Sequence, residues 1–331
     1  MNARSAWTTC LGSEVSTLSC WVVTDGKAGM ESQCVGLAEA LGLMPVVKRV
    51  RLRSPWRQLT PYLRLGGRVQ FTADSDSLTP PWPDLLIATG RHSVAASILV
   101  RKLSGGKTRN VQLQNPVIAA RHFDLVVVPR HDELHGDNII STRGALHRIM
   151  LELLRRGADR LEPEIAHLAR PYVSVLIGGS NAAYRLGPAE MTSLSRQLAS
   201  VARELKASLL VTPSRRTDEE CLAILKAELA AVPHYLWDGR GENPYFGLLG
   251  LADFIVVTSD SVNMVSESAS TGKPVYVVDL PGGSAKFTRF HRALRAEGVT
   301  RVFAGKLEPY SYAPLDDVGA VAARVQALLR P

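Results

Sequence analysis

The side chains best placed for chemistry in this 331-residue chain gather around Ser259-Asp260-Ser261 and Glu267, followed by Gly272-Lys273-Pro274. Phe254 to Val257 is an apolar, β-branched run of strand length, and Thr258 to Ser261 then offers several helix caps in a row. A strand therefore runs directly into a helix, expected over Val262 to Thr271, with Gly272 and Pro274 as its stop. Free N–H groups at such a helix start, at the carboxyl end of a strand, favour phosphate. Glu267 lies about two turns into that helix. Val275 to Val278 reads as the next strand.

Other groups could serve the same ligand. Gly178-Gly179-Ser180-Asn181 follows the apolar strand Tyr172 to Ile177, and paired glycines let a backbone approach a diphosphate, although a tight turn needs them equally. Arg215 and Arg216 follow the strand Leu209 to Thr212. They could neutralise a diphosphate leaving group, or pair on the surface with Asp218, Glu219 or Glu220. Asn243-Pro244-Tyr245 precedes the helix Phe246 to Ala252 and could bracket a base or sugar. Pro281 to Phe287 reads as a flexible loop from which Lys286 or Arg289 could reach a phosphate. Asp25 and His92, each expected after a strand, are the candidates for a general base.

The pattern Ser-Asp-Ser-x-x-x-x-x-Glu-x-x-x-x-Gly-Lys-Pro at 259–274 resembles the donor-site motif of GT-B glycosyltransferases, such as the lipid-linked N-acetylglucosaminyl transferase of peptidoglycan synthesis. That resemblance implies that Glu267, five residues before Gly272, holds the ribose hydroxyls of a nucleotide sugar. Asp260 departs from it by placing a negative charge near the incoming phosphates, and Ser261 stands where many GT-B enzymes have Gly. More of the chain, from TDGKAGMESQCVGLAEALGL through IATGRHSVAAS, VVVPRHDELHGDNIISTRGA, VLIGGSNAAYRLG and VTPSRRT to NPYFGLLGLADFIVVTSDSVNMVSE, resembles the mitochondrial-fission ELM family and its bacterial relatives. Its plant members are implicated in organelle division, and its bacterial members are described as glycosyltransferases or sugar-nucleotide epimerases.

Several cofactor and metal motifs fail on spacing. Gly26 and Gly29 after the first strand do not spell GxGxxG, which counts against a dinucleotide and against NAD-dependent epimerisation. Gly106-Lys107-Thr108 lacks the Gly a P-loop needs, since Arg101 stands there. His131 and His135 are four apart, but Asp132 occupies the Glu position of HExxH, with Pro129 and Gly136 breaking any long helix. Asp74-Ser75-Asp76 has the DxD spacing in a Ser-rich loop that is equally well solvated. Neither a cofactor nor a bound metal is expected.

Composition sets the frame. With 46% hydrophobic residues and mean hydropathy near zero the chain reads as globular, long enough for two α/β domains. The longest apolar candidate, Leu85 to Val100, is broken by Arg91 and His92, so no membrane span is expected. The first twenty residues lack the order of a signal peptide, and Cys10, Cys20, Cys34 and Cys221 form no CxxC, which suits reduced thiols and a cytoplasmic protein. Residues 1–170 carry a net charge of +7 and residues 171–331 only +1. Lys48, Arg49, Arg51, Arg53, Arg57, Arg64 and Arg68 fall in one segment without a carboxylate. This Lys48 to Arg68 segment could meet anionic headgroups at a membrane surface, a phosphorylated or lipid-linked acceptor, or only solvent. No nucleic-acid motif accompanies it.

The expected fold is α/β: two Rossmann-like domains facing a cleft, GT-B-like, over residues 1–165 and 166–305. A crossover and terminal helix, 306–331, returns to the first domain by analogy. The expected function is metal-independent glycosyl transfer from a nucleotide-diphosphate sugar. Ser259, Asp260, Ser261, Glu267, Gly178, Gly179, Ser180, Asn181, Arg215 and Asn243 form the donor side, and Asp25 or His92 is the base. The alternative is a non-catalytic binding protein of the same fold.

Overall fold

Strands buried on both faces carry long apolar runs, and runs such as Leu85–Ala88 and Phe254–Val257 lie inside two parallel sheets covered by helices. The computed structural model describes residues 18–62 and 67–330, so Cys10 and Arg64 lie outside the described residues. The chain divides into two units, the first taking in residues up to Thr142, Leu146–Arg148 and Asp317–Pro331, the second Arg143–Ala145 and Ile149–Asp316.

The first unit contains β1 (Cys20–Thr24), α1 (Ala28–Ala40), β2 (Val46–Arg49), α2 (Trp56–Leu59), β3 (Leu85–Thr89), α3 (Val94–Leu103), β4 (Arg109–Leu113), β5 (Leu125–Pro129) and β6 (Ile139–Thr142). Its sheet runs β2-β1-β3-β4-β5-β6, all parallel. Leu85 and Ile87 face one side with α1 and the chain's last helix (Asp317–Leu329, α10 in chain order), where Leu37, Val321 and Val325 are buried together. Leu86 and Ala88 face the other side against Val100, Trp21 and Phe71. The order reverses between β1 and β3, so the turns after these two strands part and leave a crevice at their carboxyl ends.

The second unit contains α4 (Leu151–Leu161), β7 (Tyr172–Ile177), α5 (Pro188–Leu205), β8 (Ser208–Pro213), α6 (Glu219–Leu229), β9 (His234–Leu236), α7 (Tyr245–Leu251), β10 (Phe254–Thr258), α8 (Val262–Ala269), β11 (Val275–Val278), α9 (Ala285–Ala296) and β12 (Thr300–Val302). The sheet order is β12-β11-β10-β7-β8-β9, again all parallel. Here the reversal falls between β7 and β10, which puts the Gly178–Asn181 loop beside Ser259–Ser261. Val173, Val175 and Ile177 pack towards α5, and Leu176, Ile255 and Val257 towards α8 and α9.

Two expected elements differ. The pattern from Ser141 to Gly157 reads as helical, but the segment holds the end of β6, an extended stretch and part of α4, because Ile139 and Ile140 pair with Val126 and Val127 of β5. Asn138 fixes that strand's start by donating to the carbonyls of Ala120 and Phe123 at 2.9 and 2.8 Å. The Pro281–Phe287 loop is shorter than expected, since Ser284 caps α9 by accepting from the Phe287 amide, so Lys286 and Arg289 lie on that helix. No described helix is long and apolar enough to cross a membrane.

Candidate functional site

The crevice between β7 and β10 is wired by its own side chains. Thr258, the last residue of β10, accepts the Gly178 amide at 2.8 Å and donates to Asp260 at 2.6 Å. The other Asp260 oxygen accepts the Gly179 amide at 3.2 Å and lies 2.6 Å from Arg216 Nη2, with the carboxylate wholly buried. Arg216 also donates to the Gly179 carbonyl, and the Gly178 carbonyl accepts from Ser214 and Thr217. The two glycine amides expected to face a diphosphate therefore donate inward, to a hydroxyl and a carboxylate of the same chain.

The glycine pair is required on these terms. A Cβ on Gly178 would lie 2.2 Å from both Asp260 oxygens, and one on Gly179 would lie 2.2 Å from the Arg216 carbonyl oxygen. Asp260 is thus turned into the protein, where Arg216 neutralises it, and does not confront a ligand. Arg215, the arginine singled out from sequence, is exposed on the same turn. Ser180 and Asn181 are exposed, and Asn181 holds the Asp260 carbonyl at 3.2 Å while its oxygen accepts the amides of Ala183 and Tyr184. The 181–185 turn and Pro281-Gly282 line an open groove of about 370 Å³. A second cavity of about 260 Å³, between α5 and the end of β11, is bordered by Glu190 and Asp279, whose carboxylates pair with Arg185 and Arg295.

Ser259 is buried, its hydroxyl accepting the Leu280 amide and its carbonyl bonded to His291 at 2.9 Å. Ser261 caps α8 by accepting from the Met264 amide at 3.3 Å. Two turns on, Glu267 accepts from the Tyr245 hydroxyl at 2.5 Å. Burial raises the Glu267 carboxyl to about 7, against the opposing pull of that hydrogen bond, and burial beside Glu267 holds the Tyr245 phenol well above its ordinary range. Asn243, exposed, accepts the Tyr245 amide at 3.0 Å and the Thr212 hydroxyl at 3.4 Å. The structure thus joins Glu267 and Asn243 through Tyr245, and joins Gly178, Gly179, Asn181 and Asp260 through Arg216 and Thr258.

In the first unit the crevice between β1 and β3 brings together the two candidate bases. His92 Nδ1 lies 3.7 Å from Asp25 Oδ2, and the same oxygen accepts from Lys27 Nζ at 2.8 Å. The other ring nitrogen, Nε2, is buried and has no hydrogen-bond partner among the described residues. Burial lowers the His92 pKa, outweighing Asp25, with Arg91, Lys27 and Arg57 acting in the same direction. The shift favours the neutral ring, the form a proton acceptor needs.

The sequence points to Arg216, Tyr245 and Thr258 but not to the partners they take here, and it gives Lys27 no role. Arg216 differs from Arg215 only in which way a turn residue points, and Tyr245 meets Glu267 through the packing of α7 against the sheet. Neither leaves a sequence signal. Asp74 and Asp76 pin the basic segment, Asp74 pairing with Arg51 at 2.8 Å and Asp76 accepting the Arg49 amide at 2.6 Å.

The mitochondrial fission protein ELM1 of Arabidopsis thaliana is 30% identical over 92% of this chain and 90% of its own length. Among solved structures, a UDP-GlcNAc 2-epimerase from Neisseria meningitidis bound to UDP-GlcNAc aligns with a TM-score of 0.50 at 12% identity, covering 94% of this chain and 99% of that one. The glycosyltransferase SnogD from Streptomyces nogalater also gives 0.50, at 15% identity, covering 95% and 100%. The shared fold, of GT-B type, hosts both reaction classes and chooses neither. The family model described as Mitochondrial fission ELM1 matches residues 28–329, and the chain belongs to that family.

Proposed function

We propose that the protein binds a nucleotide-diphosphate sugar on its second unit and transfers the sugar to an acceptor hydroxyl held by the first. One observation carries the donor side: Glu267 sits two turns inside a helix whose capped start opens at the sheet's reversal, with Tyr245 and Asn243 beside it. A carboxylate there would accept both ribose hydroxyls. Because Gly178 and Gly179 donate inward, the diphosphate falls to the remaining amides at the α8 start and to exposed Arg215, and Ser180 and Asn181 border the sugar.

In the transfer, the bond from the anomeric carbon to the diphosphate oxygen breaks as a bond to the acceptor oxygen forms. The acceptor proton passes to His92 Nε2, with Asp25 stabilising the imidazolium through Nδ1, and the nucleoside diphosphate leaves. No cofactor takes part in this reading. The test is release of nucleoside diphosphate from a nucleotide-sugar panel: activity lost in His92→Ala and Glu267→Gln supports it, and no release from any donor sinks it.

The Asp260–Arg216 pair favours a second reading. A carboxylate that takes up the donors of the glycine loop occupies the place of a phosphate, as suits a non-catalytic binding protein like the organelle-division members of the family. Under that reading Glu267→Gln leaves biological activity intact, and charge reversal across the basic segment abolishes it.

A further inference from the structure

The basic segment of the first unit is only partly explained by its own neighbours. Arg49 pairs with Glu31 at 2.8 Å and Arg51 with Asp74, so two guanidinium groups are neutralised. Lys48 stacks over Trp21, Trp21 meets Trp82 edge-on, and Arg68 stacks over Trp82, which places these two cations along one row of rings. Arg53 donates to the Phe71 carbonyl, and exposed Arg57 pairs with no carboxylate among the described residues.

Around those cations, large apolar side chains point outward. Leu59 is 51% exposed, Tyr62 70% and Val69 62%, while Trp56 and Phe71 on the same turns pack inward against Leu52 and Val50. The pairing of Leu52 with Phe71, and of the Arg53 amide with the Gln70 carbonyl, holds the α2 turn beside the Val69 turn. Thr60 donates to the Arg91 carbonyl at 3.3 Å, which ties this surface to the turn bearing His92.

We propose that α2 and the Val69 turn form a docking surface for an anionic lipid bilayer, with Leu59, Tyr62 and Val69 entering the interface and Lys48, Arg53, Arg57 and Arg68 meeting headgroup phosphates. Charge complementarity selects the anionic surface, and the outward apolar side chains select a bilayer over a soluble anion, which would leave them in water. The surface borders the Asp25–His92 pair, so the acceptor is carried by a lipid. That last step alone rests on the transfer reading.

The test is co-sedimentation of the full chain with vesicles of phosphatidylcholine containing about one-third phosphatidylserine, against pure phosphatidylcholine. Wild type is expected to bind the anionic vesicles and not the neutral ones, and added salt to weaken binding. Arg57→Glu with Arg68→Glu is expected to weaken it roughly tenfold or more, and Leu59→Ser with Tyr62→Ser to weaken it further at unchanged charge. Asp25→Asn should bind vesicles like wild type, which separates failure of docking from failure of catalysis. No binding, equal binding to neutral vesicles, or binding that pyrophosphate abolishes while Leu59→Ser with Tyr62→Ser leaves it unchanged would overturn the proposal. The last outcome would mark a site for soluble phosphorylated ligands.

Discussion

The two crevices occupy the same place in the same kind of sheet and are finished differently. In the second unit the chain satisfies itself: Asp260, Arg216, Thr258 and two glycines close on one another. In the first, Asp25 and Lys27 fix one side of His92, and its other nitrogen is buried without a partner among the described residues. A buried polar atom left unpaired costs about 1–3 kcal/mol, so the first crevice holds an unsatisfied acceptor, whereas the closed network has its acceptors filled. The fold therefore dictates where a ligand can bind, and the side chains dictate whether that place is open.

The comparison breaks most sharply at the glycines. Gly179→Ala sets a Cβ 2.2 Å from the Arg216 carbonyl oxygen, backbone that cannot turn aside, and should cost about 3 kcal/mol by chemical denaturation. Near-neutral stability would mean that the Asp260–Arg216 turn is not closed in solution. Asp260→Asn removes the charge facing Arg216, whose side chain is 39% exposed, so the loss should be smaller, about 2 kcal/mol. If instead the variant gains affinity for a nucleoside diphosphate, Asp260 is a stand-in for phosphate and the non-catalytic reading gains.

Glu267 sharpens the contrast through pH. Its folded carboxyl keeps the proton up to about 7, against 4.5 when unperturbed. Its contribution is therefore fully present below pH 4.5 and lost as pH rises through 7. Relative to Glu267→Gln, wild type should lose about 1–2 kcal/mol between those limits, allowing for partial exposure of the side chain. A pH-independent difference in melting would show that the carboxyl is not desolvated. An effect no larger belongs to the first unit: Gly90 has φ +74°, but the nearest obstacle is the flexible Met30 thioether at 3.1 Å. Gly90→Ala should then cost about 1–2 kcal/mol, from the backbone alone.

Much of the fold was legible because central parallel strands advertise themselves. Val275–Val278 is an unbroken apolar run of strand length, Tyr172–Ile177 is interrupted only by Ser174, and Pro188 marks the start of α5. Edge strand β6 was not legible, because Ile139-Ile140-Ser141-Thr142 followed by Gly144 has neither that apolar continuity nor a clear turn. Within the candidate site the sequence located the turns and not the orientations of their side chains. Glu267 was singled out by its spacing to Gly272, but its partner Tyr245 comes from another helix. The pairing of Asp25 with His92 depends on β1 and β3 being adjacent, which two strands separated by β2 in sequence do not announce.

The most direct measurement is a calorimetric titration of nucleotide-diphosphate sugars into wild type and Glu267→Gln near pH 7, in buffers of different ionisation enthalpy. One donor is expected to bind wild type with proton release, as ribose hydroxyls favour the ionised carboxylate, and to bind the variant about tenfold more weakly without that release. Binding of no donor, or equal binding to both proteins with no proton exchanged, would contradict it.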